Sequence, residues 1–295
     1  MIFITGPTSS GKTSLAIKMC KEQNGEIISA DSRQIFKYMD VGTGKLPVSE
    51  SDKSVEIQPK YWIIKNVKIW LYDVVTPDQF YSVTDFRKDA FDVIKDIKGR
   101  GKIPIVVGGT GLYIDALLGK LNDVKIPPDF KLRDELKNKT VSELQKMLPS
   151  DILEMMNNSD RNNPRRLIRK IEKLEEVTES KSKFMPLIPD QFILIDAKNE
   201  ILYEKVDRWV EAIWEDLLKE TYKLKEKGYG DTNPMQGIIY KTALEYLENR
   251  LAEEPAKDRI KYDLHAYIRR QKTWFKRYRE SSFDSGIFKL VESSV

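Results

Sequence analysis

Two rhythms of apolar residues alternate through the first part of this chain. Short unbroken runs, Ile2-Phe3-Ile4, Glu26-Ile27-Ile28-Ser29-Ala30 and Ile103-Pro104-Ile105-Val106-Val107, predict buried strands. Between them the spacing becomes helical. Residues 12–21 follow the first run, and residues 83–98 carry Phe86, Ala90, Val93, Ile94 and Ile97 on one stripe that Gly99 and Gly101 terminate. Strand, helix and strand in this order predict an α/β fold with a parallel sheet flanked by helices. Residues 61–64 and 67–75 are rich in β-formers and flank Lys65-Asn66, which predicts a hairpin, and a further helix is expected from about Leu112.

From 121 to 189 the strand signal disappears. A capping box at Thr140-Val141-Ser142-Glu143 and a basic helix near residues 164–174 predict an inserted all-helical domain, 121–189, between core segments 1–120 and 190–295. Residues 191–196 return to the sheet, and helices are expected near 200–226, 235–249 and 256–280. The last has Ile260, Leu264, Tyr267, Ile268, Gln271, Trp274, Phe275 and Tyr278 on one face, with Arg269, Lys272, Lys276 and Arg279 pointing away. A basic face is ordinarily a solvated one; a second basic stretch at Arg165, Arg166, Arg169 and Lys170 adds weight to nucleic-acid contact.

Composition narrows this picture. Of 295 residues, 40% are hydrophobic, enough for a real core, and 50 basic against 46 acidic residues leave a net charge of +4, so basic character matters only where it is clustered. The single cysteine, Cys20, excludes an internal disulfide and reads as a packing residue, while His265 as the only histidine excludes a metal site built on imidazoles. Met1 leads directly into the first strand without a charged and then apolar leader, and no run reaches the roughly 18 apolar residues of a membrane span. A cytoplasmic monomer with no membrane partner is expected.

The chemistry begins at Gly6-Pro7-Thr8-Ser9-Ser10-Gly11-Lys12-Thr13, a G-x-x-x-x-G-K-[ST] loop between a strand and a helix. Its backbone N–H groups, the Lys12 charge and the helix dipole make a phosphate cradle, and the Thr13 hydroxyl is placed to ligate Mg²⁺. The loop does not specify which phosphate it holds. A P-loop kinase should add a carboxylate at a strand end, for which Asp31, Asp73 and Asp196 are candidates. The strand 103–107 discharges into Gly108-Gly109-Thr110-Gly111, a second set of donors suited to an anion. A diphosphate held by Lys12, Thr13 and Thr110, with Asp31 facing a nucleophile, would support displacement at the carbon bearing that diphosphate. Two plainer readings stay open: Asp31 as the cap of a turn and 108–111 as a tight strand-to-helix turn.

These segments, with Ala30-Asp31-Ser32-Arg33-Gln34, Gly42-Thr43-Gly44-Lys45, Gly108-Gly109-Thr110-Gly111-Leu112-Tyr113, Gly237-Ile238-Ile239-Tyr240-Lys241 and Arg270-Gln271-Lys272-Thr273-Trp274-Phe275, resemble the successive signature blocks of tRNA dimethylallyltransferases, in family order and over almost the whole chain. The resemblance implies a P-loop NTPase-like core and transfer of a dimethylallyl group from dimethylallyl diphosphate to N6 of the adenosine 3′ to the anticodon, with Mg²⁺ and a tRNA anticodon stem-loop as partners and ATP not a substrate. It implies that Asp31 accepts the N6 proton and that Thr110 and Lys12 act in catalysis. Gly6, Pro7, Thr8, Ser9, Ser10, Gly11, Lys12 and Thr13 would hold the diphosphate with Arg208 as a nearby cation, and Thr13 would reach the metal. Contacts to tRNA would come from Asp31, Ser32, Arg33, Gln34, Thr110, Arg165, Arg166, Arg169, Gln236, Tyr240, Lys241, Arg269, Arg270, Gln271, Trp274 and Lys276. The adenosine must leave its stack to react.

The chain departs from the family pattern at Ile69-Trp70-Leu71-Tyr72-Asp73, where a His-rich stretch is usual, and at Asp160-Arg161-Asn162-Asn163. It also carries Gly44 for alanine, Trp209 for the second arginine of Asp-Arg-Arg, and Ile239 for glycine. Three alternatives are an adenylate isopentenyltransferase, which should lack the basic surfaces, a P-loop small-molecule kinase, and a non-catalytic RNA-binding protein.

Overall fold

The computed structural model describes residues 1–46, 55–121, 128–175, 185–280 and 286–292, so parts of the expected insert, 122–127 and 176–184, lie outside the described residues. The chain divides into two compact units, 1–118 joined with 186–295, and 119–185. In chain order the larger unit begins with β1 (Ile2–Thr5), α1 (Lys12–Gln23), β2 (Gly25–Ser29), β3 (Val55–Ile57), β4 (Tyr61–Ile64), β5 (Val67–Trp70), α2 (Val83–Gly99), β6 (Ile103–Gly108) and α3 (Gly111–Leu117). The smaller unit holds α4 (Phe130–Leu136), α5 (Val141–Lys146), α6 (Ser150–Met155), α7 (Asn158–Arg161) and α8 (Pro164–Glu175). The larger unit resumes with β7 (Gln191–Asp196), α9 (Asn199–Glu226), α10 (Ile238–Leu247), α11 (Glu253–Glu280) and β8 (Phe288–Glu292).

The strands form one sheet in the order β3-β4-β5-β2-β6-β1-β7-β8, parallel from β5 to β8, with β3, β4 and β5 an antiparallel meander. Alternation sends Phe3, Ile28, Val106 and Phe192 to one face, against Phe86, Ala90, Ile94 and Ile97 of α2 and Phe275 and Tyr278 of α11. Ile2, Ile4, Ile27, Ile105 and Ile193 go to the other face, against Ala16 and Cys20 of α1. With both faces covered, β1 and β6 end together: the Thr5 hydroxyl donates to Gly108 O at 2.9 Å. Both loops that follow therefore open side by side at the carboxyl ends of two interior strands, where ligands of parallel α/β sheets bind. A third apolar cluster joins α9, α10 and α11 to Ile35, Phe36 and Met39.

Three expectations are corrected. The strand expected over 67–75 ends at Trp70, because Leu71 and Asp73 adopt left-handed backbone at φ 66° and 55°. The helix expected over 235–249 is a 3₁₀ turn, Asn233–Gln236, then extended Gly237, with α10 starting at Ile238. Lys272 does not point away from the core: its ammonium donates to Ala197 O (2.8 Å) and Asn199 Oδ1 (3.0 Å), which ties α11 to the end of β7.

In the smaller unit, Leu136, Leu144, Leu148, Leu167, Ile168 and Ile171 form a core of their own. The Thr140 capping box starts α5, and Glu172 is held by Arg133 and Arg169.

The segment between β2 and β3 is anchored by Lys45, whose fully buried ammonium donates to Phe36 O (2.6 Å), Asp40 (2.7 Å) and Asp73 (2.5 Å). Trp62 Nε1 also donates to Asp73, at 2.8 Å. Removing the cation would leave two partly buried carboxylates unpaired. Lys45→Met is therefore expected to destabilise the protein by about 3–5 kcal/mol, read as a lower urea midpoint. A midpoint equal to wild type would contradict that anchoring role.

Candidate active site

The loop after β1 is built to approach an anion closely. Gly6 has φ 149°, and a Cβ there would collide with Ile195 O of β7; Gly11, at φ 86°, sits at the N-cap of α1. That helix has no side-chain cap and no acidic residue in its first turn, so its positive end is left for a ligand. Ser10 Oγ is buried without a hydrogen-bond partner in the same loop. Lys12 Nζ donates to Pro7 O at 2.5 Å, and burial lowers its pKa to about 8 against the opposing pull of Asp31. An orphaned hydroxyl, an uncapped helix start and a half-buried ammonium together describe a site completed by a phosphate-like anion.

A cavity of about 430 Å³ opens from this loop. Thr8, Ser9, Gly11, Lys12, Thr13 and Ser14 line its polar end, Asp31 to Gln34 and Gly42 to Gly44 line one side, and Gly108 and Gly109 line another. Val206 and Trp209 of α9, Ile238 and Ile239 of α10, and Leu264 and Tyr267 of α11 supply an apolar wall.

Asp31 follows β2 directly, and its Oδ1 accepts the Arg33 N–H at 2.9 Å, an Asx turn that fixes the carboxylate. Its charge opposes the burial that lowers Lys12 and adds to the burial that pushes up the Tyr267 phenol. The other two strand-end carboxylates are engaged elsewhere. Asp73 is held by Lys45 and Trp62, while Asp196 pairs with Lys272 at 3.2 Å and with Arg279.

Gln271 is a buried amide that joins the two loops: its Oε1 accepts from Thr8 N (2.9 Å) and its Nε2 donates to Gly109 O (2.9 Å). Glu220 accepts from the backbone N–H of Asp40 (2.7 Å), Val41 (2.8 Å) and Gly42 (3.2 Å) and from the buried Tyr240 hydroxyl (2.6 Å), which holds the 40–44 turn against the cavity. Burial raises the Glu220 carboxyl above its ordinary pKa despite these donors.

Other expected site residues lie as follows. Thr110 is not among the residues lining the cavity; its hydroxyl accepts from Ser32 N at 3.0 Å and donates to Ser32 Oγ at 3.3 Å. Arg208 pairs with Glu204 (3.5 Å) on an exposed face and also lies outside the lining. Pro7 is buried beneath the loop; Gly6 is its first residue. Gln34 bridges Ser29 Oγ (2.8 Å) and Thr43 O (3.2 Å).

Arg33 lines the cavity beside Gly237. Gln236, Lys241 and Lys276 are exposed, and Arg269 donates to Tyr203 at 3.0 Å. Arg270 is exposed, 5.8 Å from the Tyr267 ring, and has no ion pair among the described residues. The Trp274 indole packs where a Cβ on Gly111 would stand. In the smaller unit, taken by itself, Arg165 is exposed, Arg166 pairs with Asp160 and Arg169 pairs with Glu172.

Comparison with known proteins decides the family. The model of the IPP transferase family matches residues 34–278, and that of the isopentenyl transferases matches residues 1–66. The chain belongs to the IPP transferase family. A tRNA dimethylallyltransferase of Endomicrobium trichonymphae is 38% identical over 292 residues, covering 96% of this chain and 94% of that protein. One from Pseudothermotoga lettingae is 36% identical over 290 residues, covering 95% and 88%.

Among solved structures, the full-length tRNA isopentenylpyrophosphate transferase of Bacillus halodurans is 30% identical, with a TM-score of 0.66 and coverage of 99% and 89%. A eukaryotic dimethylallyltransferase acting on tRNA is 25% identical, with a TM-score of 0.73 and coverage of 100% and 74%. In this IPP transferase, sequence reasoning missed Glu220 and Tyr267 as parts of the site, and it read Gln271 as a tRNA contact. An amide on an otherwise apolar helix stripe was the available signal for the clamp, since a buried amide must find partners.

Proposed function

We propose that the protein, as a monomer, transfers a dimethylallyl group from dimethylallyl diphosphate to N6 of the adenosine 3′-adjacent to the anticodon of tRNA and releases diphosphate. The observation that carries this reading is a single cavity lined by an incomplete anion cradle, by apolar side chains of α9, α10 and α11, and by the Asp31 carboxylate. An allylic diphosphate needs both the cradle and the apolar wall. The N6 amine is a weak nucleophile because its lone pair is delocalised into the ring; Asp31 takes its proton as the new C–N bond forms. The C–O bond to the diphosphate breaks in the same step, and the departing charge is received by Lys12, the loop N–H groups and the Ser10 hydroxyl.

Mg²⁺ fits this arrangement as a partner of the diphosphate. No group of three His, Cys, Asp or Glu among the described residues could hold a metal, whereas the Thr13 hydroxyl is the kind of hard oxygen that Mg²⁺ combines with phosphate oxygens and water. When bound it would neutralise charge on the leaving group. Thr110 acts by position, fixing Ser32 and with it the turn that presents Asp31. The tRNA reaches the cavity past Arg33 and Arg270, exposed cations beside its lining. Arg270→Ala is expected to weaken tRNA binding and reduce the slope of log affinity against log salt by about 1; an unchanged slope would remove this residue from the RNA surface.

The reading is tested by incubating the protein and Mg²⁺ with labelled dimethylallyl diphosphate and either tRNA or AMP, and separately with ATP alone. Label in tRNA with stoichiometric diphosphate release is expected. Label in AMP would indicate a free-nucleotide enzyme, and ADP with inorganic phosphate from ATP alone an ATP-hydrolysing P-loop enzyme; either would overturn the proposal.

A further inference from the structure

The apolar wall has a dominant member. Trp209 is the bulkiest of the seven side chains that α9, α10 and α11 contribute to the cavity, and it is half-buried against the cluster that includes Val206 and Val210. Its Cζ2 lies 3.8 Å from the point where a Cβ on Gly44 would stand, so a single methyl there would touch the indole. Indole and glycine turn thus abut and form one continuous stretch of the cavity wall. Three of the positions at which the chain departs from the pattern it resembles, Gly44, Trp209 and Ile239, all line this one cavity. Trp209 presents a flat apolar face where an arginine would present a charge, and Ile239 adds four carbons where a glycine would add none.

We propose that Trp209 is the gauge that limits the donor to one five-carbon unit, its indole backing the dimethylallyl group and filling the space a second isoprene unit would need. This rests on the prenyl-transfer reading above. Of the other wall residues from these helices, Val206, Ile238, Ile239 and Leu264 carry no hydrogen-bonding side chain, and of the two phenols Tyr240 already donates to Glu220, which leaves Tyr267 as the polar member. Such a wall suits a hydrocarbon better than the polar edge of a base, which would go unsatisfied there. A volume of about 430 Å³ must also receive the reacting adenine, and it lies toward the small end of the roughly 300–1,000 Å³ found for ligand sites.

The test compares dimethylallyl diphosphate with geranyl diphosphate, which is longer by one isoprene unit, using tRNA as acceptor and nucleoside mass as readout. Wild type should use the five-carbon donor and discriminate strongly against the ten-carbon one. Trp209→Ala should raise the geranyl-to-dimethylallyl ratio of kcat/KM by about tenfold or more, the order expected when pocket volume stops excluding extra carbons. Trp209→Phe should raise it by less, and it decides the question if the alanine variant does not fold. Wild type that transfers dimethylallyl while the variants keep its donor ratio would overturn the gauge and leave the prenyl-transfer reading standing. Wild type that transfers neither donor would overturn both.

Discussion

Asp31→Asn is expected to lower kcat for prenyl transfer by about 10²–10⁴-fold while leaving the affinity for dimethylallyl diphosphate near that of wild type. The amide keeps the size of the side chain and an oxygen to accept the Arg33 N–H, so the turn that presents it should persist. What it loses is a carboxylate able to take a proton from the attacking amine. Asp73 and Asp196 cannot substitute, since each is already committed to cations on its own side of the fold. A variant with wild-type kcat, or one whose only change is in donor KM, would remove Asp31 from the chemical step.

Lys12→Met should be nearly as damaging, lowering kcat/KM by about 10²–10³-fold because charge on the leaving diphosphate loses its direct cation. Its signature is that stability does not follow activity. Burial has already pulled the Lys12 pKa from 10.5 down to about 8, so at neutral pH the folded protein holds an ammonium that would be better solvated in the unfolded chain. The sign is clear: a lysine pKa lowered on folding opposes stability below the folded pKa, and this opposition fades as pH rises towards 10.5. The methionine variant should therefore melt at or above the wild-type temperature at pH 7. A lower melting temperature would mean that Lys12 supports the fold through its bond to Pro7 O more than it serves the anion.

The parts of the fold legible in the sequence were those whose signal is local. Gly6 and Gly11 mark backbone that only glycine adopts readily, Lys65-Asn66 form the left-handed pair of a tight hairpin, and the β1, β2, β6 and β7 runs are apolar because both faces of the sheet are covered. The edge strands β3 and β8 were invisible, being short and largely exposed, so no apolar pattern distinguishes them from loops. In the site, the two loops and Asp31 could be located by their place after strands. The atoms that position them could not, because Gln271 reaches Thr8 and Gly109 across more than 160 residues and Glu220 reaches the 40–42 turn from another helix. Thr110 shows the reverse: its motif marked it for the ligand, and the structure engages its hydroxyl with Ser32.

The central claim is that the anion cradle serves an allylic diphosphate whose hydrocarbon is delivered to an RNA base. Its most direct test is mass spectrometry of nuclease fragments from unmodified tRNA incubated with this protein, Mg²⁺ and dimethylallyl diphosphate. The expected result is one dimethylallyl addition on N6 of the adenosine immediately 3′ of the anticodon, formed about 10²-fold or more slowly when Asp31 is replaced by Asn. Folded protein that leaves every tRNA fragment at its unmodified mass would contradict it.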